Sequence, residues 1–351
     1  MNLVVTRMMT AVVGIAVGLA VAAPNAHANV TFSTFVTGSS IAAAESGNTS
    51  VIAFNYTGTG FVGSVYPNTN QLYQTNLNGT GVTTYGQPLT GFSGEIVLGV
   101  GLGQGGFAPG AVYAGNGSGP QIDLVPSSGA PTLFATVPDL ANVRQIFFDP
   151  SGNFGGNMLV ATSLGHIYEI TSGGSVSQLA DLGEDSEGMD IASSTFGPAS
   201  GDLLVGSEGS GVVRAITPGG SVSLVASGIT EAETVSTVPS NLCSSNNPLQ
   251  GFYVANYSFN IQKAPASDFC AYQGDAIVTE ELPSSSIVNA VSWSGTNYIV
   301  TPIGQLSGQS EDGIFVTAQR ISDVGVPEPA SLLLLTSGLG ALGMLARRRR
   351  G

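Results

Sequence analysis

The chain has 351 residues, 23 of them Asp or Glu and only nine Lys or Arg, for a net charge of −14 at pH 7. So large an acidic excess repels phosphate backbones and argues against nucleic acid as a partner. Forty-nine glycines, 18 prolines and two cysteines exclude a long helical bundle and a disulfide-dense scaffold, while the length allows one large domain or two ordinary ones.

At the N-terminus, Arg7 precedes an uncharged apolar stretch over residues 8–23, followed by Ala26-His27-Ala28. Ala26 and Ala28 supply the small-x-small pattern that a signal peptidase accepts, which predicts a signal peptide over residues 1–28 and a mature chain beginning at Asn29. A retained N-terminal anchor is the alternative. The body, residues 29–326, then keeps four basic residues (Arg144, Arg214, Lys263, Arg320) against 22 acidic ones, a net −18.

Through this body, short runs of Val, Ile, Leu, Phe and Tyr alternate with turns rich in Gly, Ser, Thr and Asn, so strands are expected throughout. Only residues 39–46, with their alanines, suggest a short helix. Gly101-Leu102-Gly103-Gln104-Gly105-Gly106 satisfies the dinucleotide-binding string. Phe107-Ala108-Pro109-Gly110 follows where a helix should begin, so this is a glycine-rich loop.

The sequence then repeats itself. Gly156-Asn157-Met158-Leu159-Val160 matches Gly201-Asp202-Leu203-Leu204-Val205, and Ile170-Thr171-Ser172-Gly173-Gly174-Ser175-Val176-Ser177 matches Ile216-Thr217-Pro218-Gly219-Gly220-Ser221-Val222-Ser223. Fainter copies begin at Leu124 and Leu77. Strands are expected at 158–162, 166–171, 175–180 and 188–192, four in about 46 residues, which is the signature of a β-propeller blade. Blades stack because none buries both faces alone, and the body accommodates six or seven. The fold class is therefore all-β, a six- or seven-bladed β-propeller, with a pair of β-sandwiches as competitor. The segment from Phe147-Phe148-Asp149-Pro150-Ser151-Gly152-Asn153 to Gly165-His166-Ile167-Tyr168-Glu169-Ile170 also resembles NHL and lactonase-like propellers.

Asp181, Glu184, Asp185, Glu187 and Asp190 fall within ten residues, in the connection leading to an expected inner strand. Clustered carboxylates with glycine-permitted carbonyls suit a hard cation, so Asp185, Glu187 and Asp190 are candidate ligands for calcium. An EF-hand is excluded, because the sixth and twelfth positions counted from Asp181 are Ser186 and Ala192. Glu231 and Glu233, and later Glu311 and Asp312, occupy equivalent places, so recurring acids would line one mouth of a propeller. The lactonase resemblance implies a metal-binding glutamate in Glu187-Gly188-Met189, though that family's other ligands cannot be placed here. A Ser-His-Asp triad would have to use His166.

Cys243 and Cys270, placed outside the cytoplasm by the signal peptide, are most simply a disulfide contributing ~3 kcal/mol by loop closure. Two free thiols or a metal pair are the alternatives. The sequons at Asn48, Asn55, Asn78, Asn116 and Asn256 are read first as turn asparagines. Tyr56, Tyr66, Tyr73, Tyr257 and Trp293 are strand-packing residues that could also stack on sugars.

The tail runs Val326-Pro327-Glu328-Pro329, then an uncharged leucine-rich stretch over residues 330–346, then Arg347-Arg348-Arg349-Arg350. Seventeen helical residues span about 25 Å, short but sufficient for a bilayer, and the arginines stay on the cytoplasmic side. Residues 327–351 resemble the PEP-CTERM sorting signal of Gram-negative bacteria. That resemblance implies processing by a membrane exosortase, an inner-membrane intermediate held by the C-terminal helix, and delivery to the cell surface or beyond. The expected role is a binding or structural component of an exopolysaccharide-rich envelope, with a calcium-dependent lactonase-like hydrolase as the alternative.

Overall fold

Short apolar runs cut by glycine turns can satisfy their backbone groups only by folding back on themselves as antiparallel strands. In the computed structural model, which describes residues 29–67, 70–244 and 247–317, 24 strands pair into six antiparallel sheets of four. β1 (Ser33–Val36) comes first, then the α-helix α1 (Gly38–Ala44), where the alanines suggested one. Thr37 caps it, its hydroxyl accepting from the Ser40 amide at 3.3 Å.

Four sheets follow the chain directly, each built from the axis outwards. Blade 1 is β2 (Val51–Tyr56), β3 (Gly60–Val65), β4 (Leu72–Asn76) and β5 (Thr83–Tyr85). Blade 2 is β6 (Val97–Val100), β7 (Val112–Gly115), β8 (Gln121–Val125) and β9 (Thr132–Thr136). Blade 3 is β10 (Val143–Phe148), β11 (Met158–Thr162), β12 (His166–Ile170) and β13 (Val176–Asp181). Blade 4 is β14 (Ser186–Ile191), β15 (Leu203–Ser207), β16 (Val212–Ile216) and β17 (Val222–Ser227). The glycine-rich loop 101–106 joins β6 to β7, and no helix follows it.

The expected blade unit is corrected by one strand. Residues 158–162, 166–171 and 175–180 do share a sheet, but 188–192 opens the next blade as β14. The missing member of blade 3 is β10, which pairs with β11 through Phe148 opposite Met158 and Ile146 opposite Val160.

The last two blades are interlocked. β18 (Ala232–Thr237) is the inner strand of blade 5, yet the chain then leaves to form β19 (Gly251–Asn256) and β20 (Asn260–Pro265), the middle strands of blade 6. It returns to complete blade 5 with β21 (Ala276–Glu280), β22 (Ile287–Trp293) and β23 (Tyr298–Gln305), and crosses again to lay down β24 (Ser310–Val316) as the inner strand of blade 6. β1 closes blade 6 from outside by pairing with β20. A disulfide joins Cys243 and Cys270, one on the outgoing crossing and one on the return.

The inner strands β2, β6, β10, β14, β18 and β24 neighbour one another in a closed ring. The core fills the spaces between blade faces. Tyr253 of blade 6 packs against Phe61 of blade 1 in a tilted contact and against Phe35 of β1 edge to face, at centroid distances of 4.9 and 4.8 Å, so the seam where the ring closes is aromatic. Tyr253 and Phe61 are fully buried, each contributing ~1.5–3 kcal/mol of apolar burial.

The predicted signal peptide (1–28) and the tail elements lie outside the described residues. Among the described residues no helix is long and apolar enough to cross a membrane.

Candidate cation centre at the channel mouth

Side chains alternate across a strand, so each inner strand sends particular residues towards the axis. Five second positions, Ile52, Arg144, Glu187, Glu233 and Glu311, and the first residue of β6, Val97, line one narrow opening. Two are apolar, three are carboxylates and one is the sole guanidinium. Loops add Glu95 ahead of β6, Asp185 ahead of β14, and Glu208 and Glu281 immediately after β15 and β21.

Arg144 holds the centre together. Its Nη2 and Nε donate to Asp185 Oδ2 at 2.7 and 3.1 Å, its Nη1 to Glu95 Oε2 at 2.6 Å, and Nη1 lies 3.3 Å from Glu187 Oε1. Burial works against its charge, but Glu187, Asp185 and Glu95 outweigh that and hold its pKa above the ordinary value. One cation is nonetheless set against seven carboxyl groups.

That imbalance appears in their proton affinities. Burial, opposed by Arg144, pushes Glu187 well above the carboxylate range. Glu233 is raised by burial and then by Glu187 and Glu311. Burial and the neighbouring Glu281 push Glu311 up to about 9, and burial and Glu208 push Glu281 up to about 7. Glu208 is raised as well, by burial and then by Asp185, while its hydrogen bond with Glu281 works the other way. Gln309 donates to both Glu281 and Glu311, the latter at 2.7 Å.

Two features fit a metal ion. Oxygens of Asp185, Glu187 and Glu208 lie within 4.8 Å of one another, and Glu233, only 2% exposed, carries a buried Oε2 with no hydrogen-bond partner among the described residues. The cavity that Glu187 and Glu233 share with Glu95, Arg144 and Glu311 is about 20 Å³, room for one ion or a water. Gly188 makes the geometry attainable: a Cβ there would strike the Val235 amide and the Glu233 carbonyl of β18, so β14 and β18 could not approach.

Of the three candidate ligands, the structure brings Asp185 and Glu187 together and places Asp190 elsewhere. Its carboxylate accepts from the Ile191 and Thr237 amides at 2.7 and 2.8 Å, tying β14 to β18 beside a second cavity at the other end of the inner strands. Asp190 lies three positions beyond Glu187, so the rise of a strand carries it about 10 Å down the channel. Asp312 does the same work between β24 and β2, accepting from the Phe54 amide at 3.0 Å. Glu184 pairs with Arg214 at 2.5 Å. Asp181 lies 3.7 Å from His166, whose other ring nitrogen bonds Asp139; no serine is among the partners of this histidine in the described residues. Glu95, Arg144, Glu208 and Glu281 were missed. Glu208 and Glu281 each directly follow the second strand of a blade, a recurrence that could have found them.

A family model described as the PEP-CTERM protein-sorting motif matches residues 325–350. The chain carries a PEP-CTERM sorting motif. It spans Val326, Pro327, Glu328, Pro329 and the four terminal arginines, and marks the chain as an exported exosortase substrate with a propeller body. No curated protein matches the sequence of this PEP-CTERM chain. Solved structures to which it is similar include a streptogramin B lyase, with TM-score 0.49, 11% identity and coverage of 78% of this chain and 72% of the other. A protein provisionally assigned as a gluconolactonase gives TM-score 0.49, 8% identity and coverage of 81% and 84%. An inactive virginiamycin B lyase from Staphylococcus aureus, solved with quinupristin, gives 0.43, 15%, and 73% and 84%. The blade count rests on strand pairing, not on these likenesses.

Proposed function

We propose that this PEP-CTERM protein is a surface propeller that holds a divalent cation, calcium, at its acidic mouth and serves as a binding and structural component of an exopolysaccharide-rich envelope. On this reading signal peptidase cleaves after Ala28, the C-terminal helix anchors an inner-membrane intermediate, and exosortase releases the body to the cell surface. The carrying observation is the buried Glu233 carboxylate oxygen, unpartnered among the described residues, in the wall of a small cavity shared with Glu187, whose own carboxylate lies within 4.8 Å of oxygens of Asp185 and Glu208. Hard cations take oxygen ligands at 2.3–2.6 Å, and an ion here would replace the protons that the crowded carboxylates otherwise retain.

Glu311, a carboxyl group pushed up to about 9, favours a second reading as a calcium-dependent lactonase-like hydrolase, since a protonated acid beside a metal can donate to a leaving group. The small volume of the cavity weighs against it, because a lactone ring does not fit where one water does.

Calcium titration of the full chain, followed by melting temperature, tests the cation site. A ligand of the native state raises it by mass action. No shift up to millimolar calcium, or an equal shift in Glu233→Gln, overturns the assignment. Hydrolysis of simple lactones in calcium would shift the reading to the enzyme.

A further inference from the structure

Away from the axis, a cavity of about 440 Å³ opens between blades 1 and 2. Its walls carry hydroxyls and amides and no carboxylate, ammonium or guanidinium. On a body with net charge −18, a cleft of that size without ionisable acids is a distinct chemical environment. The exposed polar groups are Thr59, Gln74, Asn76, Thr83 and Ser127.

These groups are available rather than spent. The Gln74 amide nitrogen donates to Thr83 Oγ1 at 3.3 Å and Thr84 O at 3.2 Å, which orients the side chain and leaves its oxygen to accept. The Asn76 side chain makes no hydrogen bond within the described residues. Gly81, at φ +67°, faces that amide so closely that a Cβ would collide with it, and Gly110, at φ +75°, leaves the opposite wall bare near the Thr57 carbonyl.

We propose that this cleft binds a short stretch of neutral polysaccharide. Sugar hydroxyls both donate and accept, as do amides and threonine hydroxyls, and the volume lies in the range of ligand pockets. An anionic glycan would meet no cation in the walls and a strongly negative body. An apolar ligand would strand the wall's donors and acceptors. The inference deepens the envelope reading given above and rests on it, but uses a separate site.

The test is calorimetric titration of the full chain in detergent with maltotetraose, cellotetraose, chitotetraose and tetragalacturonate. At least one neutral tetrasaccharide should bind and tetragalacturonate should not. The double variant Gln74→Ala/Asn76→Ala should weaken binding about tenfold or more with an unchanged melting temperature, since both side chains are exposed. Glu233→Gln should bind sugar as the parent does, which separates failure of this cleft from failure of the cation centre. Absence of neutral binding, tighter binding of tetragalacturonate, insensitivity to the double variant, or loss in Glu233→Gln each overturns the proposal.

Discussion

Cys243 and Cys270 are bonded to each other, Cα atoms 5.7 Å apart, at the two places where the chain passes between blade 5 and blade 6. The hairpin they enclose supplies β19 and β20, so the bond staples a long excursion on which closure of the ring depends. Replacing both cysteines by serine should lower stability by ~3 kcal/mol. Denaturant titration with and without a reductant measures this; a midpoint unmoved by reduction would show that the hairpin docks firmly without its staple.

Arg144, on blade 3, touches carboxylates of the blades on either side, through Glu95 ahead of β6 and Asp185 and Glu187 at the start of β14. Substituting methionine keeps much of the apolar stem but leaves those acids uncompensated. A broken buried pair costs 3–5 kcal/mol; with Arg144 21% exposed and Glu95 33% exposed, solvent screening reduces this to about 2 kcal/mol. Calcium should restore part of the loss, because an ion supplies the positive charge that was removed. Equal unfolding midpoints for Arg144→Met and parent in a chelator-containing buffer would contradict the central role given to this side chain.

The raised carboxyl groups give the cation-free protein a defined pH dependence. Where a folded-state pKa lies above the unfolded one, the native state binds more protons, and stability falls as pH rises between the two values. Glu281, at about 7, and Glu311, at about 9, place this decline from roughly pH 5 to 9. Melting temperatures in chelator should fall across that window, and Glu311→Gln should flatten the curve above pH 7. Saturating calcium should flatten it too, with protons released on binding near pH 7. A melting temperature flat with pH in chelator would mean that the mouth is already ionised and solvated, and one that climbs would mean that its carboxylates are more acidic in the folded state; either contradicts the expectation.

What was legible in the sequence was local. Gly-Gly turns at 173–174 and 219–220 recur at nearly constant spacing because successive blades need the same hairpin, and they exposed blades 3 and 4. The frame was one strand out because β10 and β14 lie across a loop from their blade partners, and spacing alone does not say which side of a loop a strand pairs on. The exchange between blades 5 and 6 was hidden for a related reason. β19 and β20 pair with β24 and β1, more than 50 and 220 residues away, and every residue of β19 is buried, so no alternation marks its face. At the mouth, Asp185 and Glu187 were visible as a local cluster. Arg144 and Glu95 were not, since each stands alone in its own segment and meets the others only when the ring closes.

The tail carries its own prediction. On the proposed reading, the four arginines after the leucine-rich stretch keep that end in the cytoplasm, which would place Val326-Pro327-Glu328-Pro329 on the outer side of the bilayer. Sorting would then depend on a motif placed where a membrane enzyme can reach it from outside. Within Val326-Pro327-Glu328-Pro329, Glu328 is the one ionisable side chain, and on this reading its charge would pair with the processing enzyme. Glu328→Ala should leave the helix attached and trap the full-length chain in the inner-membrane fraction of a host with the cognate exosortase, without altering the propeller's melting temperature. Intact-mass analysis of fractionated cells reads the outcome. Release of the variant at the parental rate would remove the glutamate from the recognition event and leave the two prolines and the helix as its determinants.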